Sequence, residues 1–505
     1  MSIEFLNLFL YPILTLIILI SVLGYGNFFN NVFSLNKIEL ELKNIIFIQG
    51  LVFVGFFFIF INFFIPISNF ISLLTILLGA LLYFFFIYKK KIKRNEVIFI
   101  LSVLVFSIIY SFYAGFNDDF NYHYETIKNY KNKDLFEILH HRRVSYNSHW
   151  LFLTSIFSVS FFTSTLFILS SLFFSISIYD FFNLSRRAIR NKEYYLSITS
   201  FLILIFFLGV LNQLKDLGTD IPGVIISIYI IIIIFNHLLD KKTESINDIF
   251  LIILLLSLFA FIIKISNVLI FLFLFFLLFK IKYNKINYWW FFLICLIPVP
   301  WFFQNYVISS CLIWPITITC ISNTDLAISE IYLIESFAKG DQNTSIDLNN
   351  LSWIKLWLTN HSSKMLETYF IYFIIIIIPF IYVFFKKKNN KIFIIKYLKD
   401  KYLGINYKFF ILIILFCNLI WFFFAPAYRF GVFYNLFFII ILLLPLWLFM
   451  VENNYQFILK YSKTVLIVIF IYFIFENITR LDWYMKRYDV WPPISKGELL
   501  ERKNI

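Results

Sequence analysis

Asp118 and Asp119 stand side by side in GFNDDFNYHYETIKNYKNKDLFEILHHRRVSYNSH, the stretch from Gly115 to His149, with His123 and Glu125 close behind. Adjacent carboxylates repel, so where water is scarce one of them takes a raised pKa. Such a pair can act as a general base toward a hydroxyl or hold a hard divalent cation such as Mg or Mn. The same doublet is also an ordinary acidic cap at a helix end, and its spacing alone leaves both readings open.

Other ionisable residues interrupt apolar sequence. Lys215, Asp216 and Asp220 lie in QLKDLGTDIPG, Lys264 in IIKIS and Arg429 in APAYRF. A cation flanked by apolar residues is costly in a membrane unless it snorkels or meets an anion, and a guanidinium fork matches phosphate oxygens. A long connection opens at Asn305 and Tyr306 and runs to Ser363, carrying Trp314, Trp353 and Trp357. Their faces could stack on sugar rings or sit in an interfacial aromatic belt. A Gly-rich phosphate loop, a CxxC or HExxH metal signature and a nucleophile elbow are all missing from the sequence, which excludes soluble nucleotide chemistry.

These residues must be positioned by elements that lipid surrounds. The chain has 505 residues, 61% hydrophobic and 14% charged, with a mean hydropathy of +0.84, against roughly 25% charged in soluble domains. A bilayer core about 30 Å thick takes roughly 20 apolar residues per helix. Apolar runs predict spans at 5–23, 45–64, 67–88, 97–113, 150–184, 194–212, 222–239, 248–263, 267–281, 287–305, 366–385, 409–424, 430–450 and 464–477. The stretch 150–184 is read as an interfacial or re-entrant helix followed by one crossing. The expected fold is therefore an all-α polytopic transmembrane helical bundle of about 12–14 spans.

Orientation follows from basic residues, which stay on the cytoplasmic side. Lys89 to Arg94, Arg186 to Lys192, Lys280 to Lys285 and the lysine-rich stretch from Lys386 to Lys408 all fall on one face when the spans alternate. Both termini are then external, as are a first large loop at 114–149, a second at 306–365 and a tail at 478–505, around a single integral membrane domain over 1–505. The start lacks a basic n-region and is read as a retained helix. The net charge of +14 is explained by lysines flanking helices, so nucleic acid is not an expected partner and membrane lipid is. Cys311 and Cys320 share one loop and could pair in an oxidising compartment, but free thiols are the expectation.

An external loop with paired acids after an early helix resembles the GT-C class of membrane glycosyltransferases. The chain is more closely similar to a group of bacterial multi-spanning proteins of that type, through DDFNYH, HHRRVSYNSHW, TDIP, KIS, NYVIS with a following Pro315, and PAYRF, over roughly residues 100 to 435. Ser310 and Cys311 stand where glycine and an aromatic would be expected. The resemblance implies a polyprenyl-phosphate-linked sugar donor, an envelope glycan or glycolipid acceptor, and an active site on the external face of the bacterial cytoplasmic (inner) membrane. Asp118 or Asp119 would deprotonate the acceptor or hold a divalent cation, with His123 assisting. Lys264 and Arg429 would hold the donor phosphate, with Lys215, Asp220, His141, Arg142, Asn147 and Trp150 completing the substrate side. A transporter or flippase for a lipid-linked glycan predicts midplane charges and inverted repeats, neither of which is clear in the sequence. A polysaccharide polymerase or ligase would share the donor chemistry.

Overall fold

The computed structural model describes residues 3–33, 42–88, 94–111, 120–138, 146–159, 165–210, 218–238, 246–279, 286–322, 324–340, 351–363, 365–366, 405–460 and a few isolated positions. Among these the chain is built of helices and short turns. They are α1 (Ile3–Phe33), α2 (Lys43–Asn62), α3 (Asn69–Tyr88), α4 (Arg94–Ser111), α5 (Phe120–Asn132), α6 (His149–Phe157), α7 (Thr165–Arg190), α8 (Tyr194–Val210) and α9 (Asp220–Leu238). There follow α10 (Ile246–Ile263), α11 (Phe271–Leu278), α12 (Tyr288–Leu296), α13 (Val299–Ser309) and α14 (Thr324–Lys339). The last are α15 (353–363), α16 (Ile405–Phe424) and α17 (Tyr428–Asn453).

Among the described residues eight helices are long and apolar enough to cross a membrane, and shorter apolar helices cover Tyr194–Leu208, Asn247–Ile263 and Ile265–Leu278. The fold is thus an all-α polytopic bundle. Most of the spans expected at 366–385 and 464–477 lie outside the described residues. Within 150–184, α6 has nine residues, too few to cross at 1.5 Å per residue, and α7 follows as a full-length span. The span expected at 287–305 is broken at Pro298 into α12 and α13.

The helix α1 continues to Phe33, beyond the end expected for the span at residue 23. Gly24 and Gly26 let backbones touch. A Cβ on Gly24 would lie 1.9 Å from the Gly79 carbonyl oxygen of α3, and one on Gly26 would lie 1.9 Å from that of Ile46 on α2. Lipid tails are as apolar as side chains, so such close approach and interhelical hydrogen bonds, rather than hydrophobic exclusion, hold membrane helices together. α7, α9 and α10 occupy the interior, while α3 and α16 turn leucines and phenylalanines outward, as a surface facing lipid requires.

At the end of the bundle where α7 finishes with Arg187 and Arg190, Asp180 of α7 is buried and caps α2. Its carboxylate accepts the Lys43 and Asn44 backbone N–H groups at 3.0 and 2.9 Å and the Tyr229 hydroxyl at 3.0 Å. The Asn44 amide in turn donates to Ser177 Oγ at 2.7 Å. An acid at a helix N-terminus answers unpaired N–H groups and the helix dipole together, so this charge inside a span is structural.

Candidate functional site

The opposite end gathers the sequence fragments singled out above. α10 stops at Ile263, and Lys264 adopts extended backbone before a 3-10 turn over Ile265–Ile270. The break places the Lys264 ammonium beside the Asp220 carboxylate, in an ion pair. Asp220 opens α9 and is followed by Pro222, which is tolerated in a first helical turn. One turn on, Gly223 receives the Asn267 side chain, whose Nδ2 lies 2.2 Å from where a Cβ would stand. Asn267 Nδ2 donates to the Ala260 carbonyl at 3.0 Å and steadies the break. TDIPG and KISN therefore meet along a shared line.

PAYRF joins them from α17. The Lys264 ammonium lies 4.5 Å from the Phe430 ring centroid, and the Tyr434 hydroxyl donates to the Ser266 carbonyl at 3.1 Å. Arg429 is exposed, with its guanidinium 5.2 Å from the Phe430 centroid and 5.9 Å from that of Phe337 on α14. Rings at these distances hold a guanidinium through cation–π attraction. Among the described residues no carboxylate lies within ion-pair distance of Arg429. Burial pushes the Lys264 ammonium well below its ordinary range and the Arg429 charge adds to this, while the touching Asp220 carboxylate opposes both. Arg429 is consequently the cation best placed to meet a phosphate, and Lys264 and Asp220 form a paired rim beside it.

The SYNSHW strap supplies the support. Asn147 is fully buried and has φ 40°. It accepts the Tyr130 hydroxyl, donates from Nδ2 to Gln304 Oε1 at 3.2 Å, and its carbonyl accepts Trp301 Nε1 at 2.8 Å. Ser148 caps α6 and donates to the Ile263 carbonyl at 2.7 Å, one residue before Lys264. Trp150 is buried, donates to Ser170 Oγ at 3.2 Å and packs on Phe173 at 5.4 Å. Asn147 and Trp150, expected on the substrate side, are therefore buried in the core, and it is Ser148 between them that bonds the residue before the break at Lys264.

His123 belongs to a buried stripe of α5 with Thr126, Ile127 and Tyr130, a 3.6-residue periodicity that seats the helix on the bundle. Lys131 reaches Ser72 Oγ and the Ser158 carbonyl at the end of α6, at 2.5 Å each. Burial lowers its pKa to about 7. His149, absent from the expected site set, packs its ring against Gly55, where a Cβ would lie 2.2 Å from Nε2. Burial lowers its pKa to about 3, so it stays neutral.

The second large loop also departs from expectation. α13 carries Asn305 and Tyr306 and ends at Ser310, which has φ 61°. That left-handed position explains why glycine is expected there. Cys311 and Cys320 are joined in a disulfide, correcting the expectation of free thiols. A hairpin brings them together, with the Leu312 N–H on the Thr319 carbonyl and the Ile321 N–H on the Ser310 carbonyl, both at 3.0 Å. Trp314, Trp353 and Trp357 are buried and so are not faces open to a sugar. Trp357 donates to the Pro426 carbonyl at 2.7 Å, holding the turn before Arg429. Tyr146 donates to Glu330 Oε1 at 2.5 Å and ties α14 to the strap.

Asp118, Asp119, Lys215, His141 and Arg142 lie outside the described residues, as does the tail at 478–505. Asp119 directly precedes α5, whose inner stripe packs against the strap's helix α6. Among the described residues no group of three His, Cys, Asp or Glu side chains could hold a metal. The expected Mg or Mn would depend on Asp118 and Asp119. Gln304, Trp301 and Tyr130 carried no sequence signal beyond proximity to NYVIS and DDFNYH.

No curated protein and no solved structure is detectably similar to the chain. A family model described as a domain of unknown function, DUF8201, matches residues 9–436, covering the bundle from α1 into α17 and every fragment that builds this cluster. The chain therefore belongs to the DUF8201 family.

Proposed function

We propose that this end of the bundle is the site of a GT-C-like glycosyltransferase that takes sugar from a polyprenyl-phosphate donor and passes it to an envelope glycan or glycolipid. The observation that carries the reading is the convergence of Asp220 at the start of α9, Lys264 just after α10 and Arg429 at the start of α17 at one membrane-proximal end. A lipid-linked donor keeps its chain in hydrocarbon and presents phosphate and sugar at the surface, where a cluster at helix ends meets it. Inverting transfer needs a base at the acceptor and charge stabilisation at the leaving phosphate. Asp118 or Asp119 supplies the base, and Arg429 the stabilisation, with Lys264 held ready by Asp220. The disulfide in the adjoining loop supports an oxidising, external location. The basic turn from Arg186 to Lys192 at the other end supports the same orientation in a bacterial inner membrane.

The test is sugar transfer from a polyprenyl-phosphate-linked donor by purified chain in proteoliposomes. Asp118→Ala or Asp119→Ala should abolish transfer while the protein remains folded. If both variants keep full activity, the catalytic assignment fails.

A further inference from the structure

The helix α14 buries the wrong face for a soluble segment. Its inward positions are Ala327, Glu330, Ser336, Ala338 and Lys339, whereas Leu326, Ile328, Ile331, Tyr332 and Phe337 point outward with 39–57% exposure. The hairpin that precedes it does the same. Cys311 and Trp314 pack inward on Ala327, and the outer side presents Leu312 and Ile316, with Ile318 at 91% and Ile321 at 77% exposure. Contiguous apolar surface of this kind is uncommon on soluble proteins and marks an interaction site. Glu330 and Cys311 lock the unit from beneath, through Tyr146 and Cys320, so the outward face is built in.

What covers that face follows from its continuity with the lipid-facing surface. Along the Tyr288–Ser309 span the exposed side chains are Trp289, Phe292, Val299, Phe303 and Tyr306. Tyr306 is the last exposed residue of this span, and the chain turns at Ser310 straight into the hairpin that exposes Leu312 and Ile316. A span ends at the level of the headgroups, and an apolar helix face there lies in the interface plane. We infer that the Cys311–Cys320 hairpin and α14 form a monotopic anchor that embeds in the outer leaflet of the membrane the bundle already crosses. Phe337, on α14, is one of the two rings beside Arg429. The anchor thus sets the depth of that guanidinium relative to lipid phosphates. The inference goes beyond the proposed sugar transfer and stands without it.

The experiment places an environment-sensitive NBD fluorophore at Ile318→Cys or Ile331→Cys, in full-length chain carrying Cys295→Ala and Cys417→Ala, reconstituted in phosphatidylglycerol and phosphatidylethanolamine vesicles. Both positions are exposed from the protein core, so the label does not disturb packing. The expected result is blue-shifted emission, lost on adding lipids with a shallow doxyl group and insensitive to aqueous iodide. Quenching by iodide without quenching by doxyl lipid would overturn the inference and leave the face in water. Protection from both quenchers, with energy transfer between labelled copies, would also overturn it and assign the face to a second copy.

Discussion

Replacing Asn147 with alanine tests whether the strap holds the site together. The change takes an acceptor from the Tyr130 hydroxyl and a donor from Gln304 Oε1, both in buried surroundings. Each group left without that partner costs about 1 to 3 kcal/mol. Asparagine already carries a Cβ at φ 40°, so alanine adds only the loss of asparagine's tolerance for left-handed backbone. The expected loss is then roughly 2 to 6 kcal/mol, against about 5 to 15 kcal/mol for the whole stability of many domains. Asn147→Gly meets the same hydrogen-bond losses without the Cβ strain and should be less damaged. Denaturant unfolding in detergent, followed by tryptophan fluorescence, measures both, since the Trp301 indole is bonded to the Asn147 carbonyl. An alanine variant within 1 kcal/mol of the parent, or a glycine variant less stable than alanine, would refute the reasoning.

Three further outcomes follow from the same geometry. Lys264→Met strands the Asp220 carboxylate, but with side-chain exposures of 16% and 34% the loss should be about 1 to 3 kcal/mol, below that of a fully buried pair. Adding Asp220→Asn should recover part of it in a double-mutant cycle. Gly24→Ala must push α1 off the Gly79 carbonyl, costing about 1 to 3 kcal/mol of overpacking, visible as a lowered midpoint of thermal unfolding. The folded chain releases the Lys131 proton near pH 7, whereas the unfolded chain keeps it to about pH 10. The unfolded state therefore binds more protons in that window, and stability should rise with pH from about 7 to about 10. Lys131→Met should flatten that rise, which unfolding curves across the range would show.

The bundle was legible because lipid imposes long apolar helices and basic turns, and both are written locally. The end of α1 was not, since the apolar run thins near residue 23 while the contacts of Gly24 and Gly26 on α3 and α2 are tertiary. The break at Lys264 was visible as a charge between apolar runs, and Arg429 likewise. Their meeting with Asp220 depends on tertiary packing that no spacing reveals. The surroundings of Asn147 and the three loop tryptophans were not legible either, because a polar or aromatic side chain in a loop reads as exposed until packing is known. Here Asn147 joins Tyr130 and Gln304 in the core, Trp357 bonds the Pro426 carbonyl, and all three tryptophans are buried. The cysteines could not be paired from sequence because pairing rests on the hairpin that Ser310 opens with its left-handed backbone.

The central claim is that a donor phosphate meets Arg429 at the external end of the bundle. Its most direct test compares turnover of a polyprenyl-phosphate-linked sugar by the wild-type chain, Arg429→Gln and Arg429→Lys in proteoliposomes. A charge-assisted contact is worth about 1.5 to 3 kcal/mol, so Arg429→Gln should lose roughly 10- to 100-fold in transfer with its fold intact, and Arg429→Lys should recover part of it. Unchanged turnover in Arg429→Gln would contradict the account.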